Sequence, residues 1–206
     1  GTMENWAPKD LLAHLTYWRR RAVEAISYMS RGQNPPEYPS TEEANRLNFI
    51  ECRNMSFLTL TREAETVMEA IQLIVERFSQ EELQKIGFHA YLPDRSLLGY
   101  LLYKCYIHPV YHLSLAYLRL GKLSAVNRLQ DAMVKDVLSL DDSPNSRAVV
   151  YYDRACFYAL TGQKDRALTA LTESLVNRPE LKVQARDDSD LVSLQDNPQF
   201  QELVAD

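Results

Sequence analysis

Lys104 to Gly121, reading KCYIHPVYHLSLAYLRLG, decides how the rest of the chain is read. His108 and His112 stand four apart, so on a helix their Cβ atoms lie on one face about 6 Å from each other, a spacing that lets two imidazoles grip one ion. The same helix runs on through Tyr117 to Gly121, and the pattern returns downstream as Tyr158 and Gly162. One segment thus carries a candidate metal pair and opens a helical repeat.

Working outward, helical periodicity dominates. Pro8 suits the first position of a helix, where its missing N–H costs nothing, and Asp10 falls in the first turn. Leu11, Leu15, Trp18, Ala22, Ile26 and Met29 follow at steps of three and four and predict a core-facing stripe, with Arg19, Arg20 and Arg21 on the solvated side. The loop from Gly32 to Pro39, with Pro35, Pro36 and Pro39, ends that helix. Ser40 followed by Glu43 has the form of a capping box. From there a helical pattern continues to Phe78, with room for a bend. A break spans Ser79 to Pro93, with a helical turn at Glu81 to Lys85, and Asp94 is expected to cap the helix that reaches Leu120. Beyond Gly121 the spacing predicts helices over Leu123–Leu138, Arg147–Leu160, Lys164–Val176 and Asp190–Val204, the last with room for an interruption at Pro198. No stretch alternates as a strand does, so the class is all-α.

The chain has 206 residues, 46% of them hydrophobic and 25% charged, the make-up of an ordinary soluble globular protein. A net charge of −5 offers no footprint for nucleic acid or an anionic membrane as principal partner. No apolar run reaches the roughly 18 residues needed to span a bilayer, and no export signal is visible. Cys52, Cys105 and Cys156 are odd in number and far apart, with no CxxC, so three free thiols in a reducing cytoplasm are expected. No GxSxG, phosphate-binding glycine loop or HExxH occurs. Asp187, Asp188 and Asp190 read as a helix start and not as a carboxylate site.

Tyr151, Ala155, Tyr158, Gly162, Ala167, Leu171, Ser174 and Pro179 fall on the spacing of a tetratricopeptide repeat, and this part of the chain resembles that family. Ala155 and Ala167 are small where two helices approach, Gly162 serves the turn, and Ser174 stands where the family has a small apolar residue. Ala185 to Leu203 resembles the closing segment after such repeats, with Leu191, Leu194 and Phe200 covering the last pair. Superposing Gly121 on Gly162 aligns Ser114 with Ala155, Tyr117 with Tyr158 and Val126 with Ala167, a degenerate earlier repeat. An array this short lacks the three or so units of a peptide-binding groove. A structural cap or dimerisation surface, or a protein partner met through this tail, follows from that.

His14 lies three after Leu11 and four before Trp18, on the inward face of the first helix. Alone it reads as a core histidine. Joined by His108 and His112 from a second helix it completes the open three-histidine arrangement of catalytic metal sites. Trp6 to Trp18, WAPKDLLAHLTYW, resembles the WxxxDLLAHL segment of DinB-like four-helix bundles, and HPVYH resembles that family's HxxxH. The loop NPPEY and the placing of Pro109 resemble its ClbS/DfsB branch. The resemblance spans about Asn5 to Gly121. It implies a DinB-like up-down bundle over residues 1–121, followed by tetratricopeptide-like antiparallel helix pairs over 122–206. It also implies metal ligation by His14, His108 and His112, with zinc or nickel as the divalent ion. The implied activity is that of a thiol transferase or hydrolase acting on a small reactive molecule in stress or detoxification, with a low-molecular-weight thiol as possible cofactor. The family's opening helix has no counterpart before Trp6: either Leu123–Leu138 or a partner chain fills its place, or an apolar face is bared, which favours a homodimer.

Pro109 complicates the ligand pair. Inside a helix it costs about 3 kcal/mol and frees the carbonyl of Cys105. It also biases His108 away from helical geometry. Asp10, Glu51, Tyr17, Tyr103, Tyr106 and Tyr111 are candidate partners for the ligands' second ring nitrogens, and His89 is expected at the surface.

Overall fold

The computed structural model describes residues 1–3 and 5–205. Among these every regular element is a helix and no strand occurs, as the periodicity predicts. The chain divides into two compact units, Gly1–Pro109 and Val110–Asp206.

In the first unit α1 spans Pro8–Met29, with Pro8 in its first turn. The Ala7 N–H donates to Asp10 Oδ2 at 2.9 Å, so an acidic residue satisfies a donor that the helix start cannot. Helices α2, Thr41–Cys52, and α3, Phe57–Val75, replace the single long pattern, because Ser56 caps the second by accepting from the Thr59 N–H. Ser40 caps α2 through the Glu43 N–H, yet the Glu43 carboxylate turns to Arg46 at 2.7 Å and leaves the box half made. The complete box lies two elements later, where Ser79 and Glu82 open α4, Gln80–Gln84. α1 and α3 pack through Ala22, Ala25, Ile26, Val67 and Ile71, joined by Leu97 and Leu101 of α5, Leu97–Leu102. Ser96, not Asp94, caps α5: its Oγ accepts from the Gly99 N–H at 2.9 Å.

After α5 the backbone widens into a π-turn over Tyr103–Ile107 before α6, His108–Arg119. The cause is Pro109. His108 keeps helical angles (φ −57°, ψ −45°), contrary to the bias expected before a proline, and its N–H reaches back five residues to the Tyr103 carbonyl. The Cys105 carbonyl, which the residue at 109 would bond in an α-helix, instead accepts from Arg19 Nη2 at 3.2 Å. A guanidinium thus fills the place of the missing N–H. Arg19 is therefore half-buried against the π-turn, where the sequence reading put it in solvent; only Arg20 of the triplet is exposed, pairing with Glu63.

The second unit holds α7 (Leu123–Leu140), α8 (Pro144–Leu160), α9 (Lys164–Asn177), α10 (Leu181–Asp187), a 3₁₀ segment (Ser189–Leu194) and α11 (Pro198–Leu203). The 3₁₀ segment and α11 stand where one helix over Asp190–Val204 is predicted, with the break at Pro198, and α10 is an additional helix before them. The core gathers Ala155, Tyr158, Ala167, Leu171, Leu191, Leu194 and Phe200, the residues that the repeat spacing and its closing segment single out. Ser174 is fully buried and its Oγ donates to the Ala148 carbonyl at 2.8 Å, which explains a hydroxyl at that close approach.

The two glycine turns of this unit are copies of one another. Gly121 and Gly162 sit at φ +68° and +74°, where a side chain would be strained. Lys122 N–H donates to the Tyr117 carbonyl at 2.9 Å, and Gln163 N–H to the Tyr158 carbonyl at 2.8 Å. Lys122 and Gln163 then open the next helices with matching angles, φ −93° ψ 58° and φ −86° ψ 59°. The same turn ends α1 at Gly32, where Gln33 N–H donates to the Tyr28 carbonyl at 3.0 Å, so it is a shared way of closing helices in this chain.

Candidate metal centre

His14 is buried on the inward face of α1, and His108 opens α6 directly after the π-turn. Their Nε2 atoms approach to 3.0 Å. The division between the two units falls inside α6, an uninterrupted helix, and His112 follows His108 on it by one turn. One ring nitrogen from each of the three lies within 4.8 Å of the others.

The donor chemistry suits a divalent ion. Two nitrogens bound to one zinc stand about 3.3 Å apart, from a bond of roughly 2.05 Å and a tetrahedral angle. The His14–His108 separation is close to that. Burial, with the Arg119 guanidinium adding to it, pushes the His112 imidazolium down to about 4, so at neutral pH this ring is uncharged and keeps a lone pair for a cation. A hydrogen bond between two Nε2 atoms requires one bare and one protonated. A shared ion requires both bare, with the protons on Nδ1.

Aromatic rings wall the group. Trp6 lies against His14 with centroids 4.4 Å apart, and Tyr103 lies nearly parallel to His108, at 13° and 6.4 Å. Of the expected partners, Asp10 is spent on the start of α1, Tyr17 accepts from Arg21 Nη1, Tyr111 donates to Asp190 and Glu51 is exposed. His89 takes no part; its Nδ1 accepts from the Tyr91 N–H in the turn after α4.

No protein-family model, curated protein or solved structure matches this chain. The site must speak through its own chemistry.

A second convergence escaped the sequence reading. Cys156 of α8 and Asp188 and Asp190 at the 3₁₀ segment also place one ligand atom each within 4.8 Å. Asp188 does start the helix as predicted, its Oδ1 accepting from the Asp190 N–H at 2.9 Å. Its Oδ2 takes the Tyr152 hydroxyl at 3.0 Å, and Asp190 Oδ2 takes that of Tyr111 at 3.1 Å. Burial, with Asp188, Asp153 and Asp190 around it, pushes the Cys156 thiol far up, so the sulfur keeps its proton. An ion would have to displace that proton before the sulfur could bind it, and three carboxylate oxygens already hold hydrogen bonds. This cluster ties the 3₁₀ segment to α8. The signal that could have found it, three acidic residues of one short stretch beside a cysteine of α8, needs the tertiary fold.

Proposed function

We propose that the histidine group is the working centre of a metal-dependent enzyme that acts on a small reactive molecule. The observation carrying this reading is the convergence of three imidazole nitrogens, one of them on a ring held neutral by burial. His14, His108 and His112 would hold a zinc or nickel ion. Such an ion supplies Lewis acidity and lowers the pKa of a bound thiol or water. The chain's own part is to fix α6 through the Arg19–Cys105 bond and to shelter the rings behind Trp6 and Tyr103. A transferase using a low-molecular-weight thiol, or a hydrolase, fits this arrangement. Elemental analysis of untagged protein tests it: near-stoichiometric zinc or nickel is expected in the wild type and little in His112→Ala. Equally negligible metal in both would remove the reading.

A second reading, a non-catalytic interaction protein, rests on different residues. Leu47, Ile50, Phe57 and Leu58 of α2 and α3 stand 45–60% exposed. In the other unit a groove of about 890 Å³ runs beside Leu168, Leu175, Val176 and Leu203. If these faces bind a second copy or a protein, Ile50→Glu lowers the mass seen by sedimentation equilibrium; a wild type that sediments as a monomer counts against a homodimer. No helix among the described residues is long and apolar enough to cross a membrane.

A further inference from the structure

In a chain with five more acidic than basic residues, one region of the first unit gathers cations that lack acidic partners. Lys104 Nζ stands 4.6 Å from the ring centre of Trp18 and 5.4 Å from that of Tyr103. Arg21 Cζ stands 5.2 Å from the same Trp18 ring, and 3.4 Å from that of Tyr38. The indole is held still by its own N–H, which donates to Asn45 Oδ1 at 3.0 Å. Both cations are half-buried, and among the described residues neither pairs with a carboxylate. The nearby acids are engaged elsewhere, Glu24 by the Tyr38 hydroxyl at 3.1 Å and Asp94 by Arg95 at 3.5 Å.

Like charges brought together out of water repel. Burial, then Arg21, then Arg95, drive the Lys104 ammonium down to about 8. Arg21 spends one N–H on the Tyr17 hydroxyl at 2.9 Å, while its buried Nε–H meets no acceptor. Facing aromatic rings return a part of this cost, since each cation–π contact is modest. An oxyanion would return far more, because fork and ammonium could both donate charge-assisted bonds to it.

We propose that Arg21 and Lys104, both beside the Trp18 ring and with Arg95 near Lys104, form a recognition site for the carboxylate or phosphate end of a small molecule whose apolar body rests on the surrounding rings. Tyr103 links this site to the histidine group, since it carries Lys104 over its ring and lies parallel to His108. The reactive part of such a molecule would then extend past Tyr103 towards His108 while its charged end is held by the two cations. The proposal deepens the functional reading by naming the substrate class, but it stands on unit-one cations alone and survives the loss of the metal.

The test is titration calorimetry on full-length protein dialysed against a chelator, so that no bound ion can take the anion. Benzoate and phenyl phosphate are the probes, and benzamide is the uncharged control, at fixed ionic strength. Saturable binding of at least one anion and none of benzamide is expected, weakened by about tenfold or more in Arg21→Gln and in Lys104→Met. Thermal melting covers the case of a poorly folded variant: phenyl phosphate should raise the wild-type midpoint by mass action, and Lys104→Met should melt higher than wild type without ligand. No saturation by either anion up to about 10 mM, or equal affinity in Lys104→Met, overturns the proposal. Failure here with stoichiometric metal in the native protein leaves the metal reading intact, and the reverse result leaves this site intact.

Discussion

Two groups in this molecule satisfy the same distance test, and only one has the chemistry of a ligand set. The histidines bring three ring nitrogens together beside aromatic rings, and burial keeps the His112 ring neutral. The Cys156, Asp188 and Asp190 group brings a thiol that keeps its proton and carboxylates already bound by phenols and a backbone N–H. Proximity of donor atoms is therefore not enough. What decides is whether their lone pairs are already in use and whether burial leaves the charge state a cation needs.

Metal content breaks or upholds this contrast most sharply. His108→Ala should lose nearly all bound zinc or nickel, while Asp190→Asn should keep the wild-type content, both read by elemental analysis of refolding-competent protein. Loss of metal in Asp190→Asn with retention in His108→Ala would invert the assignment.

The next effect is in pH. Asp153 neighbours the acidic group, and burial, outweighing the bond from Gln130 Nε2, raises its carboxyl from 3.8 to about 7, with Asp190 pushing the same way. In the unfolded chain it ionises near its ordinary value, so between those two pH values the folded chain holds one proton more. Stability therefore falls as pH rises across that window and is level above it. Urea unfolding at about pH 5 and about pH 8 should show a decline on the order of a few kcal/mol, largely abolished in Asp153→Asn. A wild type equally stable at both would show that the acidic group is solvated after all.

On the histidine side, Arg19→Met leaves the Cys105 carbonyl without its donor and should cost about 1–3 kcal/mol. A double-mutant cycle gives this meaning: Pro109→Ala restores a backbone N–H at 109, so Arg19→Met should cost less in that background. Additive costs would show that the guanidinium does not stand in for the missing donor.

That pair also shows what could and could not be read from the chain. Local rules sufficed for Pro8, Ser40, Gly121 and Gly162, because caps and left-handed turns are decided within a few residues. They sufficed for His108 and His112, which one helical turn brings together, and Pro109 announced that the Cys105 carbonyl would be freed. The donor that meets it lies 86 residues away in sequence, so nothing local placed Arg19 or moved Arg21 out of solvent. Periodicity also ran α2 and α3 together, since Leu47, Ile50 and Phe57 continue an apolar pattern although the fold leaves them exposed. The Cys156 group failed for the same reason: Asp188 looks like a cap from its neighbours, and it is one, but its second bond comes from Tyr152, 36 residues earlier.

Tyr152→Phe isolates that second bond and is the finest test of the contrast. The phenol donates to Asp188 Oδ2, so its removal leaves a partly buried carboxylate oxygen without that donor while the ring keeps its packing. If the acidic group is a tie between α8 and the 3₁₀ segment, the variant should lose about 1 kcal/mol, by urea unfolding, whether or not calcium or zinc is present. A cation site behaves otherwise: freeing an oxygen ligand from a competing donor would strengthen metal binding, and added metal would restore the lost stability by mass action. Equal loss with and without the ion confines ligand chemistry to the imidazoles; recovery on adding it would mean that both convergences bind.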